Sequence, residues 1–188
     1  MNRDEALALV ERHLGSSANL MRHSLASEAV LRALALKLGK PADEAERWAL
    51  LGLLHDLDYM ETADEPQNHG PITVQRLGDG GFSPEELMAI SRHNAEVLGL
   101  KRESDLDLAL TAGEVVTGLI VAAALVRPDK KISELKASSV IKKMKDKAFA
   151  RSVNRDHIRL CEQIGLPLAD FVALAITAMS AIEDRLNL

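Results

Sequence analysis

Apolar residues recur along this chain at three- and four-residue spacings, the period of a helix with one face buried. The pattern predicts helices over Asp4–Leu14, closed by Gly15, and over Ser17–Leu38, closed by Gly39. Pro41 sits where a first helical turn tolerates it, and Ala42–Leu54 follows with Ala45, Trp48, Ala49 and Leu51 on one stripe. ETADEPQNHGP is polar and is expected to be a loop. A short helix is expected from His69–Pro71 to Gly78, and GDGG makes a turn. SPEE then opens another helix with a cap and a proline at its first position. The longest apolar stretch is Asp105–Val126, stopped by Pro128, and further helices are expected at Val140–Lys145, Asp156–Ile164 and Leu168–Leu186. No two-residue alternation, internal repeat or low-complexity tract stands out, so the expected fold class is all-α, a helical bundle.

Composition sharpens this picture. With 188 residues, the expectation is one domain over 1–188, with a core at about 17–126 and a C-terminal helical extension at about 127–188. Hydrophobic residues make up 47%, which excludes a disordered chain, and aromatics only 3%, which favours helix over sheet. Ala109–Val126 holds a single charge, Glu114. A carboxylate near the middle of a lone membrane span costs about 2.5 kcal/mol or more, so this window reads as a buried core helix and no membrane span is expected. The N-terminus is charged and amphipathic, unlike a secretory leader. A single cysteine, Cys161, permits no intrachain disulfide, and a cytoplasmic, reducing location is expected.

Charge is unevenly spread. Arg127–Lys147 holds eight basic and three acidic residues, a net +5, which leaves −10 for the remainder of a chain whose total is −5. Such a segment suggests a small anionic partner rather than duplex nucleic acid, which needs a broad basic face. A solvated helix face with long lysine stems is the plainer account of the same run.

The candidate chemistry lies in apolar helical contexts. His23 shares a stripe with Ala26, Val30, Ala33 and Leu34, where a lone histidine is more often a core residue than a ligand. His55 and Asp56 end the run WALLGLL, and an ionised Asp56 there needs a partner. Glu114 wants a cation, whether arginine, lysine or a metal. The neighbouring Gly113 and Gly118 suggest a close backbone approach. Two imidazoles and two carboxylates make a plausible oxygen-and-nitrogen metal site. His69 and His93 lie between them in sequence and are candidates for a second metal or for substrate phosphate. His13 and His157 stand among charged residues and are assigned to solvent.

The order of these pieces, RHSLASEAV, LLGLLHDLDY, NHGPITVQRL, ISRHN and GEVVTGLIVAAALV, resembles the HD superfamily of metal-dependent phosphohydrolases. The tail from Arg127 onward is similar to a small branch with HDIG-like domains. The resemblance implies a helical fold and a divalent metal held by His23, His55, Asp56 and Glu114, with His69 and His93 at a second metal in dinuclear relatives. It implies cleavage of a phosphoester, a nucleotide being the preferred substrate. In that scheme Asp56, Asp58 and His93 serve catalysis, Asp58 by orienting a ligand imidazole. His69, Lys142, Lys143, Lys145 and Arg151, with Arg155, bind substrate. Two departures stand out: the last ligand is usually Asp rather than Glu114, and Tyr59 occupies the place of a lysine found in many relatives. These departures leave a non-catalytic binding module open, and the paired irons of some relatives of the HD fold leave a paired-iron oxygenase open as well. The oligomeric state is open as well, a homodimer included.

Overall fold

The computed structural model describes residues 1–187, and among them the secondary structure is entirely helical. In chain order the α-helices are α1 (Arg3–Leu14), α2 (Ala18–Lys37), α3 (Ala42–Leu54), α4 (Tyr59–Thr62), α5 (Pro71–Leu77) and α6 (Pro84–His93). They continue with α7 (Ala95–Leu98), α8 (Asp105–Leu125), α9 (Ala137–Met144), α10 (Arg155–Ile158), α11 (Leu168–Ser180) and α12 (Glu183–Leu186). Short 3₁₀ turns occupy Pro66–Asn68 and Arg159–Glu162. The fold is all-α, as the periodicity predicts.

The helix starts are written in the sequence. Asn2, Ser17, Ser83 and Ser104 each accept a backbone N–H of the first turn, and Glu5, Glu86 and Asp107 complete capping boxes. Substituting such a cap costs about 1 kcal/mol, so these positions fix where α1, α2, α6 and α8 begin.

α2 and α8 form the centre. α2 packs against α3, α8 and α11, and α8 packs against α2, α6 and α10. One continuous hydrophobic cluster runs from Ala6 through Leu31, Leu54, Leu119 and Phe171 to Leu186. α8 is the one described helix long and apolar enough to cross a membrane, and 61% of its apolar window is buried inside the protein. Its apolar surface is therefore spent on this core.

Three expectations at the ends of elements are corrected. The predicted loop at 61–71 contains the last two residues of α4 and a 3₁₀ turn. The predicted Asp156–Ile164 helix is one α-turn followed by a 3₁₀ turn. The predicted Leu168–Leu186 helix breaks after Ser180, where Ile182 leaves helical geometry. The cause is Glu183, whose carboxylate accepts from the backbone N–H groups of Ile132 and Ser133 and from the Ser133 hydroxyl, pulling the chain aside.

One buried ion cluster ties α1 to α2. Glu28, 3% exposed, accepts from Arg3 at 2.5 and 2.9 Å and from Arg32 at 3.0 Å. Burial raises the Glu28 pKa, but the hydrogen bonds and charges of Arg3 and Arg32 outweigh it and hold the group below the usual range. Glu28→Gln is expected to cost about 1.5–3 kcal/mol, the contribution of hydrogen bonds to a charged group. Because the folded pKa is depressed, this stabilisation is complete above about pH 4.3 and is lost as the pH falls through the folded value. Thermal unfolding of wild type and variant should therefore differ most near neutral pH and converge in acid.

Candidate metal centre

Four helices deliver four imidazoles to one carboxylate. His23 comes from the first turns of α2, His55 and Asp56 from the C-terminal end of α3, His69 from the turn before α5, and His93 from the last residue of α6. Asp56 Oδ1 lies 3.3 Å from His55 Nε2, 3.4 Å from His69 Nε2 and 3.7 Å from His93 Nε2. Asp56 Oδ2 lies 3.5 Å from His23 Nε2. Glu114, on α8, brings Oε2 to 3.8 Å from His23 Nε2. His55, Asp56 and His93 are buried, while His23, His69 and Glu114 are half-buried and face the opening.

The other ring nitrogen of each histidine is held from behind, and these bonds decide the tautomers. His55 Nδ1 is 2.8 Å from the Gly52 carbonyl, and His93 Nδ1 contacts the Ile90 carbonyl. A carbonyl only accepts, so both Nδ1 atoms carry the proton. His69 Nδ1 donates to Asp58 Oδ1 at 2.7 Å. His23 Nδ1 lies 3.0 Å from Thr117 Oγ1, whose own hydrogen is given to the Glu114 carbonyl at 2.7 Å. His23 Nδ1 is therefore the donor there too. In their neutral forms all four rings turn Nε2 lone pairs toward Asp56.

Such a set lacks a positive charge. His23 Nε2 and His55 Nε2 are 3.2 Å apart, both acceptors, and both face an acceptor carboxylate. Burial lowers the His23 pKa to about 4 and the His93 pKa to about 3, so protons do not fill the need at those two rings near neutrality. Burial also lowers that of His69, but its bond to Asp58 and the charges of Asp56 and Asp58 raise it overall. For Asp56, burial is outweighed by the imidazoles of His55, His23, His93 and His69, which hold it to about 2. Burial and the Asp56 charge push Glu114 well above the usual carboxylate range. Two donor groups that share Asp56, namely His23–His55–Asp56 and Asp56–His69–His93, bring their ligand atoms within 4.8 Å of one another. Imidazole nitrogen with carboxylate oxygen is a donor set suited to divalent first-row metals, and the residues present fit such an ion.

Asp58 stands behind this arrangement rather than in it. It is fully buried and accepts from His69 Nδ1, from Gly70 N at 2.8 Å and from Thr73 N at 2.8 Å. It therefore orients His69 and caps the start of α5 together. Gly70 takes φ +96°, a conformation that L side chains rarely adopt, with the α6 backbone at Ile90 and Ser91 close by. Asp58→Asn is expected to weaken metal affinity about 10–100-fold, the usual cost of removing a partner behind a ligand. Competition against a chromogenic chelator measures this, and a variant that only melts earlier would make Asp58 a helix cap alone.

The centre opens into a cavity of about 420 Å³, part of whose lining comes from the C-terminal extension through Ser152, Val153, Asn154 and His157. The expectation that His157 faces solvent is corrected. It is half-buried, lines this cavity, and gives its Nε2–H to Glu96 Oε1 at 2.9 Å. His13 is half-buried beside Arg76 and Glu61 and does not line the cavity.

The extension reaches the site, but its expected phosphate-binding cations do not line it. Lys142, Lys145 and Arg151 are exposed, and the Lys143 ammonium lies 4.1 Å over the Phe149 ring. On α9, Val140 and Met144 take the inward face, which leaves the lysines outside it. Arg155 is used structurally, donating to the carbonyls of Asp146, Phe149, Ala150 and Val153. Tyr59 lines the cavity with its ring centroid 5.5 Å from that of His69. Gly113 and Gly118 make room for side chains, Leu31 and Val153 respectively, rather than for backbone. Sequence reasoning missed Thr117, although its spacing three residues after Glu114 places both on one helix face.

No curated protein and no solved structure matches the chain significantly. The family model described as HD domain matches residues 20–112, a span that holds His23, His55, Asp56, His69 and His93 and stops two residues short of Glu114. The HDIG-like branch suggested by the tail lies outside that match. With the helical fold and the ring of imidazoles around a His–Asp pair, this makes residues 20–112 an HD domain.

Proposed function

We propose that the protein is a metal-dependent phosphohydrolase that cleaves a phosphoester of a small anionic metabolite. HD domains are mostly metal-dependent phosphohydrolases, and the observation that carries the reading is the convergence of four Nε2 lone pairs on Asp56. His23, His55, Asp56 and Glu114 would hold one divalent ion, and Asp56, His69 and His93 a second. A divalent ion at such a centre supplies Lewis-acid stabilisation of a phosphoryl oxygen and makes water acidic enough to attack at neutral pH.

The chain's own residues do the remainder. Asp56, ionised and acceptor-only, orders the imidazoles and orients a hydrogen-bond donor beside them. His55 and His93 are fixed by backbone carbonyls, so their Nε2 atoms need no reorganisation. Tyr59 offers a hydroxyl at the rim. A cavity of about 420 Å³ without a described Lys or Arg in its lining suits a compact monophosphate better than a triphosphate. A nucleoside monophosphate is the preferred substrate.

The second donor group beside Asp56 favours one further reading, a paired-iron oxygenase on the same helical frame. Metal analysis of freshly purified protein separates the readings. Exchangeable Mn²⁺, Co²⁺, Ni²⁺ or Zn²⁺ with turnover of nucleoside monophosphates or a generic phosphoester supports the hydrolase. Two tightly held irons with oxygen consumption support the oxygenase. Neither metal nor turnover, with ligand binding retained, makes the protein a binding module.

A further inference from the structure

The C-terminal extension, outside residues 20–112, lines the cavity through Ser152, Val153, Asn154 and His157, and among these described residues His157 is the titratable one. That imidazole is mounted with care. Asn154 caps α10 by accepting from the N–H groups of Asp156 and His157. Arg155 gathers four carbonyls of the preceding loop, and Ile158, fully buried, anchors the following turn. His157 Nε2 is bonded to Glu96, which Arg102 grips at 2.7 and 2.9 Å. The Arg102 bonds hold the Glu96 pKa to about 2, so this carboxylate is a fixed acceptor. Arg102 in turn donates to the His93 carbonyl at 2.9 Å and to Thr111 Oγ1 at 2.8 Å, which braces the pair against the core. Among the described residues, Nδ1 of His157 has no hydrogen-bond partner.

An imidazole held through one nitrogen by an ionised carboxylate, with the other nitrogen left for a ligand, is the arrangement of a general acid or base. We propose that His157 is a catalytic residue supplied by the C-terminal extension, donating a proton from Nδ1 to the leaving-group oxygen, with Glu96 as its positioning residue. This rests on the phosphohydrolase reading and narrows the substrate to an alkyl phosphoester, whose strongly basic leaving oxygen needs that proton. As the P–O bond breaks, its electron pair stays on the ester oxygen, which takes the Nδ1 proton and departs as a neutral alcohol. Water supplies the oxygen that ends on phosphorus, and its displaced proton replaces the one that His157 gave up.

The test compares His157→Ala with wild type on two esters in the presence of Mn²⁺, glycerol phosphate and 4-nitrophenyl phosphate. Nitrophenolate leaves without protonation. The variant should lose about 10²-fold or more on the alkyl ester, in the range of general acid catalysis, and less than about tenfold on the aryl ester, with free imidazole restoring part of the alkyl turnover. Glu96→Gln should show the same selectivity to a smaller degree, which guards against a misfolded first variant. In wild type loaded with Mg²⁺, inorganic phosphate should shift the ring ¹⁵N signals of His157. Equal loss on both esters, no loss on either, or unmoved ring signals would overturn the His157 role while leaving the hydrolase reading intact. A wild type that cleaves neither of these esters nor a nucleoside monophosphate overturns both.

Discussion

Asp56→Asn is expected to abolish metal retention and lower turnover by about 10³-fold or more, while the metal-free protein melts no earlier than wild type. Single members of an interdependent catalytic unit commonly cost this much. The reasoning starts from the lone pairs. In wild type the Asp56 oxygens and four Nε2 atoms lie 3.3–3.7 Å apart, and all are acceptors while the rings are neutral. An asparagine of the same shape replaces one acceptor oxygen by an NH₂ group, which can donate to two of those nitrogens. It also removes the negative charge that pushes Glu114 upward. The substitution therefore satisfies the metal-free site internally and removes its demand for a cation. Elemental analysis, a turnover assay and thermal unfolding read the three effects separately. A variant that melts several degrees earlier and keeps its metal would mean that Asp56 is a structural carboxylate.

The second large effect is expected at Gly52, where α3 crosses α2. A Cβ there would lie 2.7 Å from the Ser27 carbonyl oxygen, 2.9 Å from its carbon and 3.1 Å from the Glu28 nitrogen. All three are backbone atoms of the middle of α2, which cannot turn aside as a side chain can. Gly→Ala within a helix ordinarily gains about 1 kcal/mol in propensity. Here, forcing two packed helices apart costs about 1–3 kcal/mol or more, so the clash prevails. For a chain of this size each kcal/mol shifts Tm by roughly 2–4 °C. The damage extends to the site, because the Gly52 carbonyl is the acceptor for His55 Nδ1. Gly52→Ala should therefore melt several degrees early and bind metal more weakly. Gly113→Ala is the control: its nearest obstacle is a Leu31 methyl, the far end of a flexible side chain. It should cost less and leave the His55 hydrogen bond in place.

What could be read from the sequence, and what could not, follows the range of the forces involved. Caps, glycines and apolar periodicity act within a few residues, so Ser17, the SPEE cap at Ser83 and the apolar run from Asp105 marked helix starts that the structure repeats. The approach of His55, Asp56, His69 and His93 was legible because each ends or opens a helix whose apolar face points to a common core, and that of His23 because it shares the apolar stripe of α2. The path of the segment after Pro128 was not. Its direction depends on the four carbonyls that Arg155 collects and on the distant grip of Glu183 on residues 132–133, neither of which has a local signature. Hence the lysines expected at the cavity lie elsewhere, and His157, expected in solvent, stands on its wall. Charge alone suggested that this segment meets an anion. The geometry brings uncharged donors and an imidazole to the cavity instead.

Anomalous scattering from crystals grown with Mn²⁺ measures the central point directly. A peak should appear among the Nε2 atoms of His23 and His55 and the carboxylates of Asp56 and Glu114. A centre that takes up no cation, with His23 and His55 still facing each other across an empty contact while manganese binds elsewhere on the protein, would contradict it.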